Sequence, residues 1–124
     1  MGKQKSAEDY LEVILVLSER LGQVRSIDIV NELGYSKPSI SVAMKKLREQ
    51  HHIVMDDIGF ITLTESGTAI AQSVLDKHKL IKTFLTSIGV DDVTAAEDAC
   101  KIEHDISEQT FEKLSQYIAK NFKV

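Results

Sequence analysis

A mostly α-helical chain with one small β-hairpin is predicted by three observations. Proline occurs once and glycine six times in 124 residues, so little interrupts helix formation. Apolar residues recur with a helical period along most of the chain. One stretch, Ile53–Leu63, departs from that period and sets apolar residues on either side of an Asp57-Ile58-Gly59 turn. At 43% hydrophobic, the chain can fill a packed core.

The first helix opens at Ser6, whose hydroxyl can cap the amide of Asp9 while Asp9 reaches back, as in a capping box. Leu11, Ile14, Leu15 and Leu17 form its stripe, and Gly22 ends it. A short second helix covers Ser26 to Leu33, with Ile27, Val30 and Leu33 facing inward. Gly34–Tyr35 makes the turn. Ser36 then caps a third helix with Pro38 in its first turn, where a missing N–H costs little. That helix runs through Ile40, Ala43, Met44 and Leu47. Two helices joined by a tight glycine turn are a helix-turn-helix, and a hairpin directly after it is a wing. Thr64 and Glu65 start a long helix to about Ser87, with Gly89 as its stop. Another helix covers about Asp92 to His104. Ser107 caps a last one carrying Phe111, Leu114, Tyr117, Ile118 and Phe122. The expected organisation is a winged helix-turn-helix over residues 1–64 and a helical domain over 65–124, joined by the long helix.

Charge separates the two halves. The chain has 15 Lys and Arg against 19 Asp and Glu, a net −4, which argues against indiscriminate nucleic-acid binding. Between Gly34 and His52, however, four basic residues (Lys37, Lys45, Lys46, Arg48) face one acid, Glu49. From Gly89 onward eight acids oppose four lysines. A basic stretch followed by an acidic half suits a DNA reader attached to a cation-binding module. Cys100 is the sole cysteine, so no intrachain disulfide forms, as befits a reducing compartment. No apolar run approaches membrane-spanning length and the N-terminus lacks a signal-peptide pattern, so the cytoplasm is expected and no membrane partner is.

The third helix has the chemistry to enter a major groove of double-stranded DNA. Ser36, Ser39 and Ser41 offer hydroxyls, Lys37 a cation, and the small side chains permit close approach to base edges. Lys45, Lys46 and Arg48 lie further along for the phosphate backbone, and Arg25 is another phosphate candidate. The first turn holds no Arg, Asn or Gln for bidentate base reading, so DNA shape is expected to carry part of the specificity. The competing reading is a solvated basic helix end, and the adjoining hairpin weighs against it. His51 and His52 are read as surface residues at the start of the wing.

The acidic half contains Cys100-Lys-Ile-Glu103-His104. Positions i, i+3 and i+4 share a helical face, so a thiolate, a carboxylate and an imidazole converge there. A divalent transition metal is what that donor set serves. His78 on the long helix, and Asp9 with Glu12 one turn apart on the first helix, can complete it. Each has a plainer role. Asp9 equally serves the capping box. Glu12 can be an exposed acid, Cys100 a small core residue, His78 a polar edge and His104 a cation at a helix C-terminus. Taken together, the spacing favours ligands.

Five stretches make a specific match: Ser6–Glu12 (Ser-Ala-Glu-Asp-Tyr-Leu-Glu), Ser36–Ser41 (Ser-Lys-Pro-Ser-Ile-Ser), Leu63–Gly67 (Leu-Thr-Glu-Ser-Gly), Lys77–Leu80 (Lys-His-Lys-Leu) and Ala99–His104 (Ala-Cys-Lys-Ile-Glu-His). In this order and spacing the chain resembles the diphtheria-toxin-repressor family of metal-activated repressors over nearly its whole length. The resemblance implies a winged helix followed by a helical metal-binding and dimerisation domain, with metal bridging the first helix to the later ones. Larger members add an SH3-like domain. This chain is too short for one, which points to the manganese-transport-regulator branch and its two-metal site. Carried over by motif, the ligands fall on Asp9, Glu12, His78, Cys100, Glu103 and His104. The site is a hybrid: the manganese branch has glutamate where Cys100 stands, and the iron branch has methionine where Asp9 stands. Of the iron branch's ancillary site only His78 matches, since Lys82 and Ala96 cannot ligate. Ser36, Pro38, Ser39 and Ser41 match DNA-facing positions. Val42 replaces a glutamine of some members, which implies a different base preference.

The expected function is repression of metal-uptake genes by a homodimer on palindromic DNA, with Mn2+ or Fe2+ as cofactor and Co2+, Ni2+ or Zn2+ binding in vitro. Dimerisation is expected on the Ser107–Phe122 helix. No small organic substrate and no enzyme activity are expected, because nothing supplies an oxyanion hole, a glycine-rich substrate loop or a separate general base. The competing function is a winged-helix regulator controlled by a non-metal small ligand.

Overall fold

The computed structural model describes residues 7–121, with His104 described by its backbone alone. In chain order it comprises α1 (Ala7–Leu21), α2 (Ser26–Leu33), α3 (Lys37–Glu49), β1 (Ile53–Met55), β2 (Ile61–Leu63), α4 (Glu65–Ser87), α5 (Asp92–Asp105) and α6 (Glu108–Asn121). The mostly helical class with a hairpin wing is therefore observed. Ser6, expected as the cap of α1, and Phe122 lie outside the described residues. The chain forms two units that divide between Ser73 and Val74, within α4.

The first unit closes around one core. Tyr10, Leu11, Ile14 and Leu17 recur every three or four residues on α1 and are buried. After α1 the chain runs antiparallel to β2 for one residue, where the Ile61 N–H donates to the Val24 carbonyl at 2.7 Å. The Asp28 carboxylate accepts the Arg25 N–H at 2.9 Å and so fixes the start of α2. Here the sequence reading needs a correction. Ile29, not Ile27, is the buried residue of α2, with Val30 and Leu33 partly buried beside it, while Ile27 is exposed. Ile29 and Leu33 lie one turn apart at the centre of the inward arc, which leaves Ile27 beyond its edge.

Gly34 turns the chain between α2 and α3 at φ +74°, a conformation that other residues adopt at a cost. Ser36 caps α3 by accepting the Ser39 N–H at 3.2 Å. Ile40, Met44 and Leu47 then face the core. His51 holds φ +64° at the end of α3, where its N–H reaches the Arg48 carbonyl and that of His52 reaches the Leu47 carbonyl, both at 3.0 Å. The hairpin pairs Ile53 with Leu63, Val54 with Thr62 and Met55 with Ile61. Its tip is pinned by one Asp56 carboxylate oxygen, which accepts the N–H groups of Ile58 at 3.0 Å and Phe60 at 2.9 Å. Thr64 caps α4 by accepting the Gly67 N–H and donates to the His51 carbonyl at 2.8 Å. A Cβ on Gly67 would overlap the His52 carbonyl, so the backbone of α4 sits against the foot of the wing. Ile70 and Ala71, in the first turns of α4, pack on this core.

In the second unit the inward stripe of α5 consists of Ala95, Ala99 and Glu103. Within this unit Val74 and Ile81 are the buried positions of α4, and His78 sits between them, one turn from each. Asp91 caps α5 through the Thr94 N–H at 2.7 Å, and Ser107 caps α6 through the Thr110 N–H at 3.1 Å. Lys77 ties α4 to α6: its ammonium meets Glu108 at 2.6 Å and lies 5.3 Å from the centre of the Phe111 ring.

Candidate functional site

Three metal-ligand candidates of the second unit, His78, Cys100 and Glu103, come together. His78 reaches the site because it lies on the core side of α4, and Glu103 because it continues a buried stripe begun by two alanines. The His78 Nδ1 stands 3.5 Å from a Glu103 carboxylate oxygen. The Cys100 sulfur lies within 4.8 Å of a Glu103 oxygen as well. Cys100 is a free thiol, partly buried, one turn before Glu103. The Glu103 side chain is 0% exposed and that of His78 is 23% exposed. A carboxylate is expensive to bury without positive charge or strong donors beside it. A buried carboxylate flanked by an imidazole and a thiol therefore fits a divalent transition cation, which accepts all three donor types. His104 follows Glu103 on α5, and its side chain lies outside the described residues.

In the first unit Asp9 and Glu12 occupy successive turns of α1, Asp9 buried and Glu12 half-buried. Burial pushes the Tyr10 phenol above its usual range, and Tyr35 and the charge of Asp9 add to the shift. A buried acid at Asp9 is unusual for a helix-capping role alone, which normally leaves the carboxylate in water.

The DNA-reading candidates all lie in the first unit. Lys37, Pro38, Ser39, Ser41, Val42, Lys45 and Lys46 are exposed on α3, while Ile40, Met44 and Leu47 turn the other way. Ser36 is exposed too, but its hydroxyl is engaged with Ser39, the two oxygens standing 3.0 Å apart. That contact fixes the first turn of α3. Arg25, at the start of α2, is exposed and its guanidinium lies 4.6 Å from the centre of the Phe60 ring. Sequence reasoning missed Phe60 and the fixing of the wing's foot by His51, His52, Thr64 and Ser66. His52 is a partly buried tether whose Nδ1 stands 3.0 Å from the Ser66 hydroxyl. The aromatic next to Gly59 and the Thr-Glu-Ser-Gly run were the available signals.

Two family profiles cover most of the chain. The iron-dependent repressor N-terminal DNA-binding domain matches residues 4–56, and the family's metal-binding and dimerisation domain matches residues 64–121. An uncharacterised helix-turn-helix transcriptional regulator of Methanocaldococcus jannaschii is 36% identical over 118 residues, which is 94% of this chain and 94% of that one. The transcriptional regulator MntR of Listeria welshimeri is 31% identical over 91% of this chain and 80% of its own length. The solved structure of a manganese-dependent transcriptional repressor in complex with manganese matches with a TM-score of 0.83 and 28% identity, over 92% of this chain and 53% of that one. The present chain thus spans about half the length of that solved repressor.

Proposed function

This chain belongs to the iron-dependent repressor family of metal-dependent transcriptional regulators, the diphtheria-toxin-repressor family, and on that premise we propose that it represses metal-uptake genes as a homodimer on palindromic double-stranded DNA. The observation that carries the reading is the buried Glu103 carboxylate with the His78 imidazole and the Cys100 thiol beside it. We assign the metal to Asp9, Glu12, His78, Cys100, Glu103 and His104, and take Mn2+ or Fe2+ as the physiological ion. Thiolate softness favours iron and the later transition metals, while the carboxylates suit manganese. A bound divalent ion supplies positive charge and fixed bond directions.

The chain's own residues account for the rest. Glu103 places a carboxyl group inside the second unit, and His78 and Cys100 border it. Asp9 and Glu12 offer oxygen donors on the helix that anchors the first unit's core. Ligands drawn from both units would couple metal occupancy to the placement of α3. Two copies of α3 would then meet successive major grooves of a palindrome. Ser39, Ser41 and Val42 face bases, and Arg25, Lys37, Lys45 and Lys46 face phosphates. Residues 1–64 serve as the reader, and residues 65–124 as the metal-binding and dimerising part. The family is made up of DNA-binding regulators, and we assign this chain no catalytic step. Among the described residues no helix is long and apolar enough to cross a membrane, and we place the protein in the cytoplasm.

The test measures affinity for a duplex enriched from a random-sequence pool by the manganese-loaded protein. Mn2+, Fe2+, Co2+ and Zn2+ are compared at buffered free concentrations. The expected gain on metal loading is about 5- to 150-fold, the range of ordinary allosteric coupling. Equal affinity in the presence of a chelator would overturn the metal reading and favour control by another small ligand.

A further inference from the structure

The wing of this protein is unusual for an element next to a DNA-reading helix. From Ile53 to Leu63 it contains no lysine, arginine or histidine, and its tip carries Asp56 and Asp57. Asp56 is spent on the turn, as described above, while Asp57 and Ile58 are exposed, Ile58 at 68%. Such a tip repels a phosphate backbone. A cation from outside the hairpin lies against it: Arg25, at the start of α2, rests on Phe60 at the tip end of β2. Among the described residues its guanidinium forms no salt bridge. The acid within reach, Asp28, takes the Arg25 backbone N–H.

We propose that Phe60 is a positioning residue that holds the Arg25 guanidinium as a DNA-backbone clamp, so that the wing grips DNA through a cation borrowed from α2. The inference rests on the DNA-binding reading above. A guanidinium held over a ring by its central carbon spends none of its N–H groups on another acceptor there, and these are the groups that bond to a phosphate. The ring also restricts a long side chain that would otherwise lose rotamer freedom on binding. With the hairpin's own charges negative, this contact is the wing's route to a favourable interaction with the backbone. Leucine at position 60 would keep apolar volume but lose the π face, whereas tyrosine would keep it.

The experiment uses the full chain loaded with Mn2+ and a fluorescent duplex enriched from a random-sequence pool by the unaltered protein. Affinity is read by anisotropy across a salt series for Arg25→Gln, Phe60→Leu, Phe60→Tyr and the double variant Arg25→Gln/Phe60→Leu. Arg25→Gln is expected to lower the slope of log affinity against log salt by about 0.9, the signature of one lost phosphate contact. Phe60→Leu is expected to weaken binding about two- to fivefold, the scale of an exposed cation–π contact. Phe60→Tyr should bind as the parent does, and Phe60→Leu should cost nothing further once Arg25 is gone. An equal loss from Phe60→Leu in both backgrounds would show that Phe60 acts through the fold of the wing, and would overturn the clamp. So would an unchanged salt slope in Arg25→Gln. Failure of the unaltered protein to enrich any duplex would overturn the DNA-binding reading and the clamp with it, whereas enrichment with an additive cycle overturns the clamp alone.

Discussion

The reading helix of the first unit and the ligand cluster of the second differ in where they hold their functional side chains. In the first, Lys37, Ser39, Ser41, Val42 and Lys45 stand exposed on α3, outside a core already closed by Ile40, Met44 and Leu47. In the second, Glu103 is part of the interior, with His78 and Cys100 only partly exposed. An exposed face can be changed without reopening the core behind it. An interior carboxylate cannot, because its charge contributes to the energy of the packed state. Function and stability should therefore separate on the exposed face of α3 and be tied together around Glu103.

Glu103→Gln tests the tied side and should produce the largest effect. Manganese affinity, measured by titration calorimetry, is expected to fall by more than the roughly 10- to 100-fold typical of losing an outer partner of a metal ligand. The metal-induced gain in DNA affinity should go with it. Without metal, the variant should melt no lower than the parent, since a neutral amide of the same shape is cheaper to bury than a carboxylate. Parent-like manganese binding combined with a lower melting temperature would make Glu103 a structural acid and break the comparison.

Lys45→Gln tests the separable side. The salt slope of DNA binding should fall by about 0.9, with weaker binding across all sequences alike. Unfolding in urea should stay within about 0.5 kcal/mol of the parent, as for other surface changes. A substantial loss of stability would mean that Lys45 supports the helix rather than the DNA contact.

Much of this was readable beforehand, for local reasons. Ser36 and Ser107, expected as caps, each sit one residue before a helix and take a first-turn N–H, which is short-range chemistry that a sequence displays; Asp91 does the same for α5 and was not singled out. The convergence of Cys100 and Glu103 followed from helical spacing alone. The contact of His78 with Glu103 needed two helices to pack, so the sequence offered donor types but no distance. Ile27 was misassigned because an eight-residue helix holds four apolar residues, and periodicity cannot choose between neighbouring arcs over so short a span. The contact of Phe60 with Arg25 and the abutment of Gly67 on His52 join residues that are distant in sequence, so the aromatic beside Gly59 and the Thr-Glu-Ser-Gly run mark special positions without naming their partners.

Asp91 provides the smallest effect and a control within the second unit. It is an acid that helps hold α5, yet it is exposed and stands more than two turns from Cys100 along the chain. The Thr94 N–H bonds to its carboxylate and holds its pKa below the ordinary 3.8. The folded state thus binds this proton less tightly than the unfolded chain does. The resulting stabilisation is complete above the ordinary value and is lost as pH falls through the lower, folded value. Asp91→Ala should accordingly melt lower than the parent at neutral pH, with the gap narrowing in metal-free buffer as pH falls below the ordinary 3.8. Manganese affinity at neutral pH should be unchanged, because no ligand has been touched. A gap that stayed constant with pH would remove the charge from the cap's contribution. A change in manganese affinity would show that even an exposed acid of this unit feeds into the site, and the contrast between surface and interior would no longer hold within it.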